Sequence, residues 1–556
     1  MSPKRAALST LLIFVALFAF QLLWTHGQLE QLRDISHRGF RRRALARQAS
    51  NAALESGKLA ATQLDQQSRA HNDDAGRSNG SEGLAAGGTA ALDNPAIIVF
   101  AYNRAAYLNQ TLQSLLGLSG LEAHTVYVSQ DGNESGVAGV AAGLAPEFSR
   151  RARGFELWQK QPRVPQLGGA QAGHAWLAQH YKWGLDRVFL ERGHSHVVVV
   201  EDDMLFSPDF LLYFRATAPL LDADPTLWCV SSWNDNGFAA SHEWNVSRLL
   251  RTSYFPGLGW MMKRQLWLEL GPSWPLDHWD HWMRDDEVSG GRDCIVPEVN
   301  RNKNIGEEGA NMNKQAFRRY LKTMGWNQNQ TVSLWGDLSY LLQPAYAAEM
   351  RRQLAAAEPW EGQVGAGRRT AAKPRPGAVY AVYYTFEQYT RLAARMKLWP
   401  FPRAHFQHVA SIPWMGARFL MADRRFCPLI PEAERVRASE GMQAVAGRQH
   451  QNCVDVCAER GMLCGRNDFW WLNTCSVLRK HFPCEHGCTV ELGPDVPAYV
   501  AAANQTLFQY CLITQKASTC SAKHAATARL CPCVPLPADK RRQTLQHRER
   551  IQDSAG

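Results

Sequence analysis

Cysteine is almost missing from the first three quarters of the chain. Only Cys229 and Cys294 precede Cys427, whereas eleven of the thirteen cysteines fall between Cys427 and Cys533. No internal repeat is evident, which excludes a repeat architecture. Long basic runs are also missing: the net charge is +10, but Lys and Arg are scattered, with one short run at Arg41 to Arg43. No nucleic-acid-binding module accompanies them, so nucleic acid is not expected as a partner. The positive balance reads as solvation and attraction to acidic surfaces or phosphates. A last absence is local. No Lys or Arg lies between Arg5 and Arg33, and within that gap Ala6 to Trp24 is almost wholly apolar. Such a run is just long enough to span a bilayer. Lys4 and Arg5 before it place the N-terminus in the cytosol and the rest in the lumen. It ends in Gln-Leu-Leu-Trp rather than in the small residues of a cleavage site, which favours an uncleaved signal anchor over a signal peptide.

A luminal chain is an oxidising context, so the dense cysteines read as disulfides. The Cys453-x3-Cys457 spacing also permits zinc. Eleven is odd, so one thiol of that region is free, pairs elsewhere or joins a second chain. Six Asn-X-Ser/Thr sequons, at Asn79, Asn109, Asn133, Asn245, Asn329 and Asn504, suit the same compartment. Composition then divides the chain: a cytosolic tail (1–5), a transmembrane anchor (6–24), and an Ala/Gln-rich then Gly/Ser-rich stem (25–93). A body (94–345), a smaller α/β module (346–427), a cysteine-rich unit (428–535) and a polar tail (536–556) complete it.

The body is organised around HVVVVEDDMLFSPDF, His196 to Phe210. Four valines read as a strand buried on both faces of a parallel sheet. The strand ends in Glu201, Asp202 and Asp203, whose mutual repulsion calls for a cation or a polar ligand. Carboxylate oxygens at the carboxyl end of such a strand suit Mg2+ or Mn2+ together with a substrate diphosphate. Upstream, AIIVFAYNR and HTVYVSQDG read as strands ending at Arg104 and Asp131, each followed by a helical pattern. Strand–helix–strand–helix–strand predicts a parallel, nucleotide-binding sheet. Downstream, Gly257 and Gly259 in FPGLGW read as a sharp turn near a ligand. Trp260, Trp274, Trp279 and Trp282 read either as a wall for a sugar ring or as core. Asp280, between Trp279 and Trp282, reads as a general base whose pKa partial desolvation raises, against the plainer reading of a structural Asp.

These strings carry a resemblance. VSQD at 128–131, the acidic triplet, SPDF at 207–210, ADPTLWCVSSWNDNG at 223–237, FPGLGW at 255–260, and WDHWMR with GRDCIVPEV at 279–299 resemble glycosyltransferase family 13. The likeness covers about residues 95 to 410. It implies an α/β, GT-A nucleotide-sugar-binding fold, UDP-GlcNAc as donor, Mn2+ as cofactor, and inversion at the anomeric carbon. It implies further that Asp203 is the metal ligand, Asp202 a donor-binding carboxylate at the ribose, and Glu201 a neighbour of the sugar. Arg104 falls at the donor phosphates, Asp131 and His180 at the uracil, Asp280 at the catalytic base, and Asn311 on a loop that closes over the diphosphate. Cys229 and Cys294 fall on a disulfide of the family. A second family pair falls on Tyr102 and Gly132, so both of its cysteines are absent together. ADPTLWC, FPGLGW and the EDD form resemble the branch that initiates hybrid and complex N-glycans on the α-1,3-linked mannose of the core. NRAAYLNQTLQSLL, AQHYK and GANMN resemble the branch that acts on O-linked mannose. A mannose-bearing glycoprotein acceptor, a Golgi membrane location and type II topology follow as expectations; a non-catalytic luminal carbohydrate-binding protein is the rival of another class. The CVDVC and RLCPC strings of the cysteine-rich end are similar instead to the C-terminal segment of N-acetylglucosaminyltransferase V.

Overall fold

The computed structural model describes residues 94–160, 172–239, 245–309, 313–329, 336–360, 373–514 and 516–536. The expected anchor and stem, Asn311, and all but the first residue of the expected polar tail lie outside them. Among the described residues no helix is long and apolar enough to cross a membrane.

The apolar runs of the body form the middle of a sheet. Strands β1 (Ala96–Ala101), β2 (Thr125–Asp131), β3 (Gly154–Lys160) and β4 (His196–Glu201) pair in parallel in the order β3-β2-β1-β4. Successive strand residues face opposite sides. Ile97, Val99, Val198 and Val200 therefore enter one core, with Leu108, Leu112 and Leu115 of helix α1 (Ala105–Leu116). Ile98, Phe100, Val197 and Val199 enter the other, with Tyr181 and Leu185 of helix α3 (Ala172–Asp186). Both faces are covered, which is why VVVV has no polar alternation.

Two elements escaped the sequence pattern: helix α2 (Ser135–Arg151) and strand β3 stand between β2 and α3. Helix α2 is rich in Ala and Gly and buries only Val137, Ala141 and Phe148. Strand β3 is an edge strand that buries only Trp158. Neither carries enough apolar periodicity to be seen. The sheet is also mixed rather than parallel throughout. It continues β4-β8-β6-β9-β7 through β6 (Leu227–Ser231), β7 (Leu249–Thr252), β8 (Trp260–Lys263) and β9 (Asp293–Pro297), and β8 runs antiparallel to both β4 and β6. Gly257 and Gly259, both in the left-handed region (φ 73° and 57°), turn the chain into β8. Two short strands, β5 (Met204–Phe206) and β10 (Asn302–Asn304), pair beside the main sheet.

Cys229 and Cys294 are joined by a disulfide between β6 and β9. Beside it, the fully buried Arg251 lies 2.8 Å from Asp224 and 2.9 Å from Asp293. Strands lying between residues 358 and 423 form a four-stranded sheet, and strands lying between 443 and 535 a six-stranded one. The latter has only small apolar clusters. Five disulfides staple it: Cys453–Cys531, Cys457–Cys533, Cys464–Cys520, Cys475–Cys488 and Cys484–Cys511. Small cores need such staples, and these pairs leave no thiolate cluster for zinc. Cys427 is the free thiol, buried, and burial pushes its pKa up.

Removing one partner of a buried ion pair strands the other charge, at a cost of roughly 3–5 kcal/mol. Arg251→Ala is therefore expected to lower the thermal unfolding midpoint by several degrees. Calorimetry showing no shift would contradict the place given to this pair.

Candidate active site

From β1 the chain steps outward to β2 and β3, then returns to β4 on the other side of β1. That reversal leaves a crevice at the carboxyl ends of β1 and β4, where open α/β sheets bind ligands. The register sets Val99 opposite Val200 and Phe100 opposite Glu201, so the two strands end level. Arg104, the residue before α1, then faces the residues after β4. Its guanidinium pairs with the Asp202 carboxylate and lies 2.8 Å from Asp203. Thr111 of α1 fixes the turn: its hydroxyl donates to the Asp202 carbonyl at 2.8 Å and accepts from the Met204 amide at 3.0 Å. The Asn304 amide donates to Asp203 at 3.0 Å. A side chain at Gly306 would put its Cβ 2.0 Å from the Asp203 carboxylate, so only glycine lets that backbone approach. Glu201 accepts from the Tyr181 hydroxyl at 2.6 Å.

The three carboxylates differ in environment. Burial, with the charge of Asp203 next to it, pushes Glu201 up to about 7. Burial likewise pushes Asp202 up to about 6, although Arg104 pulls the other way. The donor set is all oxygen, which suits a hard divalent cation. Among the described residues no three acidic, His or Cys side chains converge into a complete cage. Asp203 therefore fits the pattern in which one carboxylate holds the ion while substrate phosphates and water complete its shell.

Asp131 ends β2, buried, with the Lys160 ammonium 3.7 Å away. His180 is buried on α3, its ring nitrogen 2.8 Å from the Ser129 hydroxyl and its ring edge-on to Phe100. Both thus stand at the β2 edge of the crevice. Asp280 lies on the five-residue helix α4 (Trp279–Met283). Trp279 stacks on Tyr181 at 4.3 Å, and Tyr181 also holds Glu201, so the base candidate and the acidic triplet share one support.

One open reading is decided here and one expectation is corrected. Trp260 and Trp279 are 1% and 3% exposed, stack on each other and meet Phe255 edge-on, so of the two readings core holds for them. Trp274 and Trp282 are only partly buried and pack against that core. Asp280 has a lowered pKa, not a raised one. Burial pushes it up, but the Arg284 guanidinium at 2.8 Å and the nearby His281 outweigh burial. Asp280 is therefore ionised at neutral pH, the state a base requires, with reduced basicity.

Sequence reasoning missed Arg284, Tyr181, Asn304, Gly306 and Asp235. Arg284 was visible in WDHWMR as the i+4 partner of Asp280. Asp235, in WNDNG, lies 3.0 Å from Arg403 and influences Arg284. The others carried no local signal.

Residues 4–426 match the model described as the GNT-I family. The chain belongs to the GNT-I family. Residues 406–533, overlapping the end of that match, match the glycosyltransferase family 18 model. The alpha-1,3-mannosyl-glycoprotein 2-beta-N-acetylglucosaminyltransferase of Arabidopsis thaliana is 37% identical over 269 residues, 48% of this chain and 59% of that protein. The chain thus spans about three fifths of the length of this relative. Among solved structures, a mannosyltransferase from Pyrobaculum calidifontis in complex with GDP-Man and Mn2+ matches 47% of this chain and 61% of its own, at 18% identity and TM-score 0.23. S. aureus TarS matches 36% and 57%, at 10% identity and TM-score 0.24. Likenesses this loose carry no argument about this chain. The GNT-I family match bears out the resemblance read from the motifs, over a mixed α/β sheet with a disulfide-rich end.

Glu201 and Asp202 hold protons in the folded, donor-free protein at pH values where unfolded carboxylates, near 4, have lost them. Their stability contribution is present below about pH 4 and lost as pH rises through about 6 to 7. The unfolding temperature of the donor-free protein should fall between about pH 5 and 7.5, less steeply in Glu201→Gln. Equal slopes by scanning calorimetry would refute this.

Proposed function

We propose that this GNT-I family chain is an inverting, Mn2+-dependent β-1,2-N-acetylglucosaminyltransferase. It moves GlcNAc from UDP-GlcNAc to the α-1,3-linked mannose of an N-glycan core, using a GT-A body held in the Golgi lumen by the N-terminal anchor. One observation carries the reading: Arg104 meets Asp202 and Asp203 at the strand reversal between β1 and β4. A cation and acidic oxygens side by side in a crevice suit a metal-bound diphosphate. The name of the Arabidopsis relative supports the acceptor and the linkage.

In this reading Asp203 holds the Mn2+, which when bound neutralises charge on the departing diphosphate. Arg104 turns part of its charge from the carboxylates to the phosphates. Asp202 contacts the ribose, Glu201 lies near the sugar, Asp131 and His180 meet the uracil, and Asn311 belongs to the loop closing over the diphosphate. Asp280 accepts the proton of the mannose 2-hydroxyl as that oxygen bonds to C1 of GlcNAc. The bond from C1 to the phosphate oxygen breaks on the opposite face, and UDP leaves with its electron pair. One displacement inverts C1 and needs no enzyme nucleophile.

The full-length protein, given UDP-GlcNAc and Mn2+, should transfer to an oligomannose N-glycan and not to an O-mannosyl peptide. Product on the peptide alone would move the chain to the O-mannose branch, and product on neither would favour the non-catalytic reading. Asp280→Asn should lower kcat by about 10²–10⁴-fold with UDP affinity unchanged; transfer at the wild-type rate would sink the base assignment.

A further inference from the structure

The base sits on a helix too short to hold itself. Five residues form little more than one turn, and a turn of helix is unstable without tertiary support. The inner side of α4 is anchored in the body through the buried Trp279 and Met283. Its two flanks are anchored elsewhere, on the cysteine-rich unit. Before α4, the Tyr510 hydroxyl donates to the Asp277 carboxylate at 3.1 Å. The Tyr510 ring meets His278 edge-on at 6.4 Å and stacks on His486 at 5.5 Å. His278 is the residue from which α4 starts, and it holds the left-handed backbone conformation (φ 41°) that non-glycine residues avoid. After α4, the Arg479 guanidinium lies 2.7 Å from Asp285 and 3.3 Å from Glu287. Asp285 in turn caps helix α5 (Asp286–Ser289), accepting from the Glu287 amide at 3.0 Å.

We propose that the cysteine-rich unit positions the base: Tyr510 and Arg479 hold the two ends of the segment Asp277–Glu287 and so set where the Asp280 carboxylate stands. The proposal rests on the reading of Asp280 given above. Neither side chain touches Asp280, so both are positioning residues. The disulfide Cys484–Cys511 ties the strand after Tyr510 to the loop that bears His486, and Cys475–Cys488 ties the helix leading to Arg479 to the same region. The staples thereby make a rigid jaw of an otherwise small unit.

The test uses the full-length enzyme with UDP-GlcNAc, Mn2+ and the oligomannose N-glycan. Tyr510→Phe removes only the hydroxyl, and Arg479→Gln only the charge. Rates are normalised to the number of UDP-binding sites measured on the same sample. Misplacing a reacting group by about 1 Å costs on the order of a hundredfold. Each single variant should therefore lose about threefold to tenfold in kcat, and the double variant about thirtyfold to a hundredfold. Donor KM should stay within about twofold, because the β1–β4 crevice is untouched, and Arg479→Lys should recover part of the Arg479→Gln loss. A double variant within about twofold of wild-type kcat, while Asp280→Asn is inactive, would overturn the proposal. So would a loss of activity matched by an equal loss of UDP-binding sites, which would show misfolding in place of misalignment. Transfer by Asp280→Asn at the wild-type rate would overturn the reading of the base, and the jaw with it.

Discussion

One ion-pair cluster organises the molecule: Arg104 against Asp202 and Asp203. Three carboxylates in sequence at the end of a buried strand repel one another and resist desolvation. They are tolerable here because the neighbouring strand ends level and delivers a guanidinium among them. The cluster depends on topology. Had the chain continued past β3 instead of returning beside β1, the arginine and the acids would lie on separate strand ends. The same cluster stands ready for exchange, since a diphosphate offers Arg104 oxygen partners and a divalent cation offers Asp203 a positive one.

The rest of the site is referred to that cluster through shared supports. Tyr181 is hydrogen-bonded to Glu201 and stacked on Trp279, which places Asp280 one residue from a side chain packed against the acid triplet's own partner. Arg284 then balances Asp280 and is influenced in turn by Asp235 of the WNDNG loop. Asp235 accepts from Arg403. A series of charged neighbours thus runs from Asp280 toward the smaller sheet, while Tyr510 and Arg479 join the Asp280 segment to the cysteine-rich unit. The lowered pKa at Asp280 follows from Arg284, which closes its short helix, and from His281 within it.

Much of this was legible in the sequence, and what was not has a physical reason. The VVVV–EDD stretch and AIIVFAYNR announced buried strands with charged ends, because full burial on both faces leaves an unbroken apolar run. Strand β3 and helix α2 were silent, because an edge strand and an Ala/Gly-rich helix bury few large side chains. The tryptophans stayed ambiguous, since core and sugar-binding surfaces use the same rings. Asp280 misled in sign, because a nearby Arg four residues on outweighs desolvation. Gly306 could not have been found at all: its role is a close approach to Asp203 from a hundred residues away, and nothing local encodes it.

The central claim is that the β1–β4 crevice binds a nucleotide diphosphate through a cation held by Asp203. Calorimetric titration of UDP into the protein, with and without Mn2+, tests it most directly. The account predicts that Mn2+ tightens UDP binding by about tenfold or more in the native protein and leaves it unchanged in Asp203→Asn. Equal UDP affinity with and without Mn2+ in the native protein, or a full Mn2+ effect surviving in Asp203→Asn, would contradict it.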